Sequence, residues 1–305
     1  MKKTALKKNR LPDWFKQDIP DVEILTKLRS LKRQRINTVC LEANCPNWSR
    51  CLSANSLAFM ILGSRCTRDC RFCAVDKSGK EFLGLDEEEP YRILKIVKEL
   101  RLKFVIITSV TRDDLADGGA GQFARIINLI HDYYRDIKIE VLIPDFLGLP
   151  LSQVVQARPD VLAHNLETVP RLYPQIRSQA CYKRSLEVLS ESKKLDSKII
   201  TKSSLLLGMS EKEEEVIGVM DDLLKVGCDI LVLGQYLAPS SQHFPVEEYV
   251  TCEQFQKYEE IGLAMGFKAV LASPLARTSY RAEEVYNRVK RIAYRKSEKN
   301  PFFFS

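Results

Sequence analysis

Six of the nine cysteines in this 305-residue chain fall within one short stretch, at Cys40, Cys45, Cys51, Cys66, Cys70 and Cys73. They form two triplets, C-x4-C-x5-C and C-x3-C-x2-C. A cytosolic compartment keeps thiols reduced, so six clustered cysteines argue for metal rather than disulfides. Three thiolates on the tight loop Cys66-Thr67-Arg68-Asp69-Cys70-Arg71-Phe72-Cys73 can hold three irons of a [4Fe–4S] cube and leave the fourth without a protein ligand. Zinc is the competing reading, but a structural zinc site takes four ligands, and none of the three histidines, His131, His164 and His243, lies nearby. For the upstream triplet, spacing alone ranks a second structural metal site level with an iron–sulfur cluster. The remaining cysteines, Cys181, Cys228 and Cys252, have no partner spacing and read as buried small hydrophobes.

These loops need a scaffold. From about residue 56, short β-branched runs at 57–62, 104–110, 137–143, 161–166, 199–206 and 230–236 alternate with amphipathic stretches at 87–101, 120–134, 150–157, 170–194 and 211–226. Strand–helix alternation of this kind means parallel strands covered by helices, and such a unit places its chemistry at the C-terminal ends of the strands. The first 55 residues form an N-terminal extension with a helix near 22–33, and residues 271–305 a C-terminal one. The expected fold is α/β, a partial (β/α)6 TIM-type barrel at 56–270 between these two extensions. Polar residues gather at the strand ends: Thr108 and Ser109 on the second, Asp113 to Gly119 after it, Pro144-Asp145-Phe146 after the third, and Asn165 and Glu167 at the fourth. Lys202 lies in the fifth. Gly118-Gly119 suits either close approach of backbone to a ligand or a loop that opens a helix.

Composition narrows the class further. Apolar residues at 45% and charged residues at 29% exclude a disordered tail, a collagen and a membrane bundle. No apolar run approaches the roughly 18 residues of a membrane span. Lys7, Lys8, Asn9 and Arg10 stand where a secretory signal would need its apolar region, so a cytoplasmic protein is expected. The formal charge of +7 suggests either nucleic acid or an acidic protein partner.

The downstream triplet, with the aromatic Phe72 before its last cysteine and a strand before its first, is identified as a match to the radical S-adenosylmethionine superfamily. The upstream triplet, ending fifteen residues before it, makes the match specific, for the pair resembles the lipoyl synthase family. The resemblance runs from about Val39 to Glu283. It includes Ile107 to Leu115 with Asp117-Gly118-Gly119-Ala120, His164-Asn165-Leu166-Glu167-Thr168, Leu233-Gly234-Gln235-Tyr236, and Arg277-Thr278-Ser279-Tyr280, which is similar to the family's Arg-Ser-Ser-Tyr element. Thr111 stands where the family usually has Asp, Thr278 replaces the first serine of that element, and Ser204 and Ser210 replace glycines. None of these removes a cluster ligand.

The resemblance implies two [4Fe–4S] clusters and S-adenosylmethionine. The catalytic cluster would sit on Cys66, Cys70 and Cys73. The auxiliary one would sit on Cys40, Cys45 and Cys51 with Ser279, whose harder oxygen would leave one corner labile and the cube a plausible sulfur donor. Thr108, Ser109, Asn165, Glu167 and Lys202 would face S-adenosylmethionine, and Arg277 would be a gate or substrate contact. The implied reaction inserts two sulfur atoms, at C6 and C8 of an octanoyl group carried by a lipoyl carrier domain or a glycine-cleavage carrier protein. No neighbouring group acidifies those C–H bonds, so a radical is required. An electron donor such as flavodoxin or ferredoxin is implied, and neither nucleic acid nor a membrane. Two other classes compete: a radical methylthiotransferase acting on tRNA, which usually has more widely spread auxiliary cysteines and a following RNA-binding domain, and a non-enzymatic metal-binding module. Only about thirty residues follow Ser273, too few for that domain.

Overall fold

In a computed structural model, residues 11–17, 20–78 and 84–298 are described, the last six for their helical backbone only. The basic residues of the first ten and the three phenylalanines at 302–304 lie outside the described residues. The six foreseen strands form: β1 Ala58–Ile61, β2 Phe104–Ser109, β3 Lys138–Leu142, β4 Val161–Ala163, β5 Ile200–Leu207 and β6 Ile230–Gln235. A seventh, β7 Ala269–Ser273, follows. All pair parallel in sequence order, with β1 and β7 at the two ends of the order, so the sheet is a partial barrel. Alanine-rich β7 carries little intrinsic strand signal; it forms because β6 offers it an edge, in the register Leu231 to Val270 and Gly234 to Ser273. It also runs across residue 270, where the sequence suggested the barrel would end.

The helices are α1 Val22–Arg33, α2 Val39–Glu42, α3 Trp48–Ser53, α4 Glu89–Glu99, α5 Ala120–Tyr133, α6 Leu149–Gln156, α7 Tyr173–Ile176, α8 Tyr182–Leu195, α9 Glu213–Lys225, α10 Cys252–Met265 and α11 Ala282–Glu298. Helix α5 shows why they dock: Phe123, Ile126, Ile127 and Ile130 recur at three- and four-residue spacing, and all are buried. Its start is set by Gly119, which caps the helix at φ 92° and whose Cβ, if present, would lie 2.2 Å from Leu62 Cδ1. Of the two uses open to Gly118-Gly119, the structure shows the helix start.

Two apolar layers pack helices on the outside of the sheet, one around β1 to β3 and one around β5 to β7. A third lies inside. Val285, Tyr286 and Val289 of α11 join Ala58, Phe104, Val161, Ile200, Ile230 and Ala269, the residues that begin six of the seven strands. The C-terminal helix therefore plugs the bottom of the barrel and leaves its top open.

The N-terminal extension is anchored at the outer edge of β1. Thr38 bridges Phe59 antiparallel, and Met60 donates its N–H to Asn37 O at 2.9 Å. Thr38 then caps α2, its Oγ1 accepting from Leu41 N. This pairing carries the upstream cysteines over the open end of the barrel.

Candidate functional site

A cavity of about 620 Å³ opens at the C-terminal ends of the strands. All six clustered cysteines line it, together with Thr108, Ser109, Asn165, Glu167 and Ser279. Residues 228 positions apart close its wall, for Asn47 Nδ2 donates to Leu275 O at 2.5 Å.

The loop of Cys66, Cys70 and Cys73 is clamped to the ends of two strands. Arg68 forms a two-pronged pair with Asp113, at 3.0 and 3.1 Å, and reaches Asp145 with its remaining nitrogen. Thr67 donates its N–H to Thr111 O at 3.0 Å. The backbone N–H groups of Thr111 and Arg68 point at Cys66 Sγ, at 3.4 and 3.5 Å. Lys77 Nζ holds Cys70 O at 2.7 Å. Burial pushes the Cys73 thiol up to about 12.

The upstream triplet is spread over α2, α3 and the turn between them, with Cys40 on the first, Cys51 on the second and Cys45 between. Burial pushes Cys40 and Cys51 up to about 12, and mutual proximity to Cys45 adds to it. Buried thiols crowded in this way ionise readily only beside a cationic partner such as a metal.

Ser279 sits in a turn closed by Tyr280 N donating to Arg277 O at 2.9 Å. The preceding residues lie flat on Gly234 of β6: a Cβ there would stand 2.0 Å from Ala276 O. Arg277 is near enough to Cys45 and Glu167 to act on both electrostatically.

The chain matches the Radical SAM superfamily over residues 60–223. It is 55% identical over 256 residues to the lipoyl synthase of Aquifex aeolicus (strain VF5), covering 83% of this chain and 92% of that protein. With the lipoyl synthase of Caldanaerobacter subterraneus subsp. tengcongensis it shares 49% over 276 residues, covering 90% and 96%. The chain belongs to the lipoyl synthase family. Among solved structures it is similar in fold to methylornithine synthase, with TM-score 0.54 at 13% identity over 77% of this chain and 80% of that one. It is likewise similar to HydG, a maturase of the [FeFe]-hydrogenase, with TM-score 0.58 at 15% identity over 75% and 53%. As a radical S-adenosylmethionine enzyme, a member of the lipoyl synthase family uses a [4Fe–4S] cluster and S-adenosylmethionine.

The cavity fits both groups. N–H groups aimed at Cys66 suit a cluster sulfur, since such bonds tune iron–sulfur centres. Six buried side-chain atoms of cavity-lining residues lack a hydrogen-bond partner within the protein: Asn47 Oδ1, Ser109 Oγ, Asp145 Oδ1, His164 Nε2, Asn165 Oδ1 and Arg177 Nε. A polar ligand would satisfy Ser109 Oγ and Asn165 Oδ1, because buried polar atoms are otherwise paired. Thr108 Oγ1, by contrast, already donates to Leu142 O at 2.9 Å, and contributes to the wall.

Lys202 is not brought to the cavity. It is the third residue of β5, one layer below, and its Nζ is bound to both oxygens of Glu140 at 2.8 and 2.9 Å, each side chain 1% exposed. Side chains two apart share a strand face, so the β5 residues that do reach the cavity are Ser204 and Leu206. Among the unclustered cysteines, Cys228 is buried as expected, but Cys181 and Cys252 are exposed. Both stand where a helix begins at the surface, Cys181 capping α8 and Cys252 opening α10.

Arg177 escaped notice in the sequence. It is buried, donates through one nitrogen to Asn165 O at 2.9 Å and Leu166 O at 3.0 Å, and acts electrostatically on Cys70. An arginine in an amphipathic stretch carries no spacing signal. Asp145 and His164 face each other nearby at 3.4 Å. Burial raises the Asp145 carboxyl, but His164 and Arg68 outweigh it and hold Asp145 below the usual carboxylate range.

Proposed function

We propose that this chain inserts two sulfur atoms, at C6 and C8, into an octanoyl group held on a lipoyl carrier domain or a glycine-cleavage carrier protein. The observation that carries this reading is the single cavity onto which both cysteine triplets and Ser279 open. In it Cys66, Cys70 and Cys73 hold the catalytic cluster, and Cys40, Cys45, Cys51 and Ser279 hold an auxiliary [4Fe–4S] cluster. When bound, the first cluster and S-adenosylmethionine supply the one-electron chemistry that breaks an unactivated C–H bond, and the second cluster supplies sulfur. The protein contributes position and exclusion of water. Arg68 clamps the catalytic loop to β2 and β3, Ser109, Asn165 and Glu167 contact S-adenosylmethionine, and Thr108 shapes the wall. Met60, Ile106, Leu142 and Leu206 give an apolar lining suited to an alkyl chain.

The division of labour follows the chain: 1–55 bring the auxiliary cysteines, the radical barrel extends from 56 to the end of β7, and the residues after β7 bring the serine. An electron donor such as flavodoxin or ferredoxin would supply the electrons for a cluster held on Cys66, Cys70 and Cys73. The enzyme works in the cytoplasm, without nucleic acid or membrane. Among the described residues no helix is long and apolar enough to cross a membrane.

Anaerobic reconstitution with iron and sulfide is expected to load about eight irons, the content of two cubes. The loaded enzyme should cleave S-adenosylmethionine and raise the mass of an octanoylated carrier by two sulfur insertions. Wild-type protein that holds about four irons or fewer defeats the reading. Ser279→Ala should cleave S-adenosylmethionine but insert no sulfur; a fully active variant would remove Ser279 from the ligand set. Gly234→Ala must push the backbone at Ala276, and its expected cost is about 1–3 kcal/mol, as for other overpacked sites. Urea denaturation measures that cost, and iron analysis should show the auxiliary cluster loaded incompletely.

A further inference from the structure

Asn165 is bound on two sides. Its Nδ2 donates one hydrogen to Glu167 Oε1 at 2.9 Å and the other to Thr278 Oγ1 at 2.8 Å, 113 residues away. Both donors are consumed within the protein, and the atom left over, Oδ1, is buried without a partner. All three residues line the cavity. Glu167 by itself engages one hydrogen and leaves the amide plane free to swing about that bond. A second acceptor in a different direction fixes the plane, so that Oδ1 is presented as an acceptor. Thr278 is itself largely buried, 7% exposed, and stands next to Ser279 in the turn that rests on Gly234.

We propose that Thr278 is a positioning residue for S-adenosylmethionine: its hydroxyl, delivered by the same turn that carries Ser279, orients Asn165 so that Oδ1 receives a hydrogen bond from the cofactor. The turn that carries Ser279 thus also contributes to the cofactor pocket. The function needs a hydroxyl and not a serine in particular, which accounts for threonine at this position.

This inference rests on the cofactor reading above, and the test separates the two. Equilibrium binding of S-adenosylmethionine to the anaerobically reconstituted holoenzyme is measured for wild type, Thr278→Val and Thr278→Ser. Valine matches threonine in shape but lacks the acceptor. Thr278→Val is expected to retain the wild-type iron content and bind S-adenosylmethionine on the order of ten-fold more weakly, the scale of losing one buried hydrogen bond. Thr278→Ser should bind as wild type does. In an Asn165→Ala background, Thr278→Val should have no further effect, because the group it orients is gone. Equal binding by wild type and Thr278→Val overturns the proposal, as does equal weakening by serine and valine, or additive effects with Asn165→Ala. If Thr278→Val loses iron, Thr278→Ala, which removes the hydroxyl without placing a new methyl, is read by the same criteria. Wild-type holoenzyme that fails to bind S-adenosylmethionine would instead defeat the cofactor reading itself.

Discussion

Cys45→Ala should uncouple the two halves of the chemistry: S-adenosylmethionine is still cleaved, but no sulfur reaches the carrier. Cys45 lies between α2 and α3, on an extension fastened to the barrel by the Thr38–Phe59 bridge and the Asn47–Leu275 hydrogen bond. The loop of Cys66, Cys70 and Cys73 is held by a different set of contacts, the Arg68 pairs with Asp113 and Asp145. Damage to one triplet should therefore leave the other folded. Iron content is expected to fall from about eight to about four per chain, since a cube deprived of one thiolate on this small ligand set is not retained. Cys70→Ala should give the reverse, with the auxiliary cluster kept and no 5′-deoxyadenosine released. The decisive measurements are iron analysis, 5′-deoxyadenosine and carrier mass on the same samples. Sulfur insertion by Cys45→Ala at the wild-type rate would show that the upstream triplet is not the donor site.

The second large effect is on stability. Lys202→Met leaves Glu140 as a buried carboxylate with no counter-charge in the middle of the barrel. Breaking such a pair costs about 3–5 kcal/mol, a large part of the 5–15 kcal/mol by which a typical domain is stable. Burial raises the Glu140 carboxyl and Lys202 opposes that rise. Without the lysine the folded-state value moves further above the unfolded one. A carboxyl raised in the fold favours folding below its unfolded value and loses that advantage as pH rises through the folded one. The defect should therefore be largest at neutral pH and shrink as pH falls into the carboxylate range. Urea denaturation of Lys202→Met at neutral and acidic pH measures both points. The double variant with Glu140→Leu should recover most of the loss, as replacing a whole buried pair by apolar residues often does. A single variant within about 1 kcal/mol of wild type at neutral pH would mean that solvent reaches Glu140.

Lys202 also illustrates where sequence reading reaches its limit. Its membership of β5 was legible from the β-branched run around it, but depth along a strand is not written in residue types. A lysine at the third position of β5 meets Glu140 of β3 beneath the cavity, whereas Ser204, two residues on, meets the cavity itself. The same holds for Cys181 and Cys252, which behave as exposed helix-start residues because of where their helices begin. Strand β7 was missed for a related reason. Its stability comes from the edge of β6 and from α10 behind it, and alanine and serine advertise neither.

The cysteine spacings, the alternation of strands and helices, and the polar residues at strand ends are local quantities. Chemistry that depends on three ligands within one loop, or on which strand end a residue follows, is therefore determined by the sequence itself. What only the tertiary structure decided is the convergence of parts that are distant in the chain. Asn47 meets Leu275, Asn165 meets Thr278, and α11 fills the bottom of the barrel, so that Ser279 arrives beside cysteines more than 200 residues earlier. Such contacts arise from closure of the barrel and burial of its ends, a free energy summed over the whole fold that no short stretch of sequence encodes.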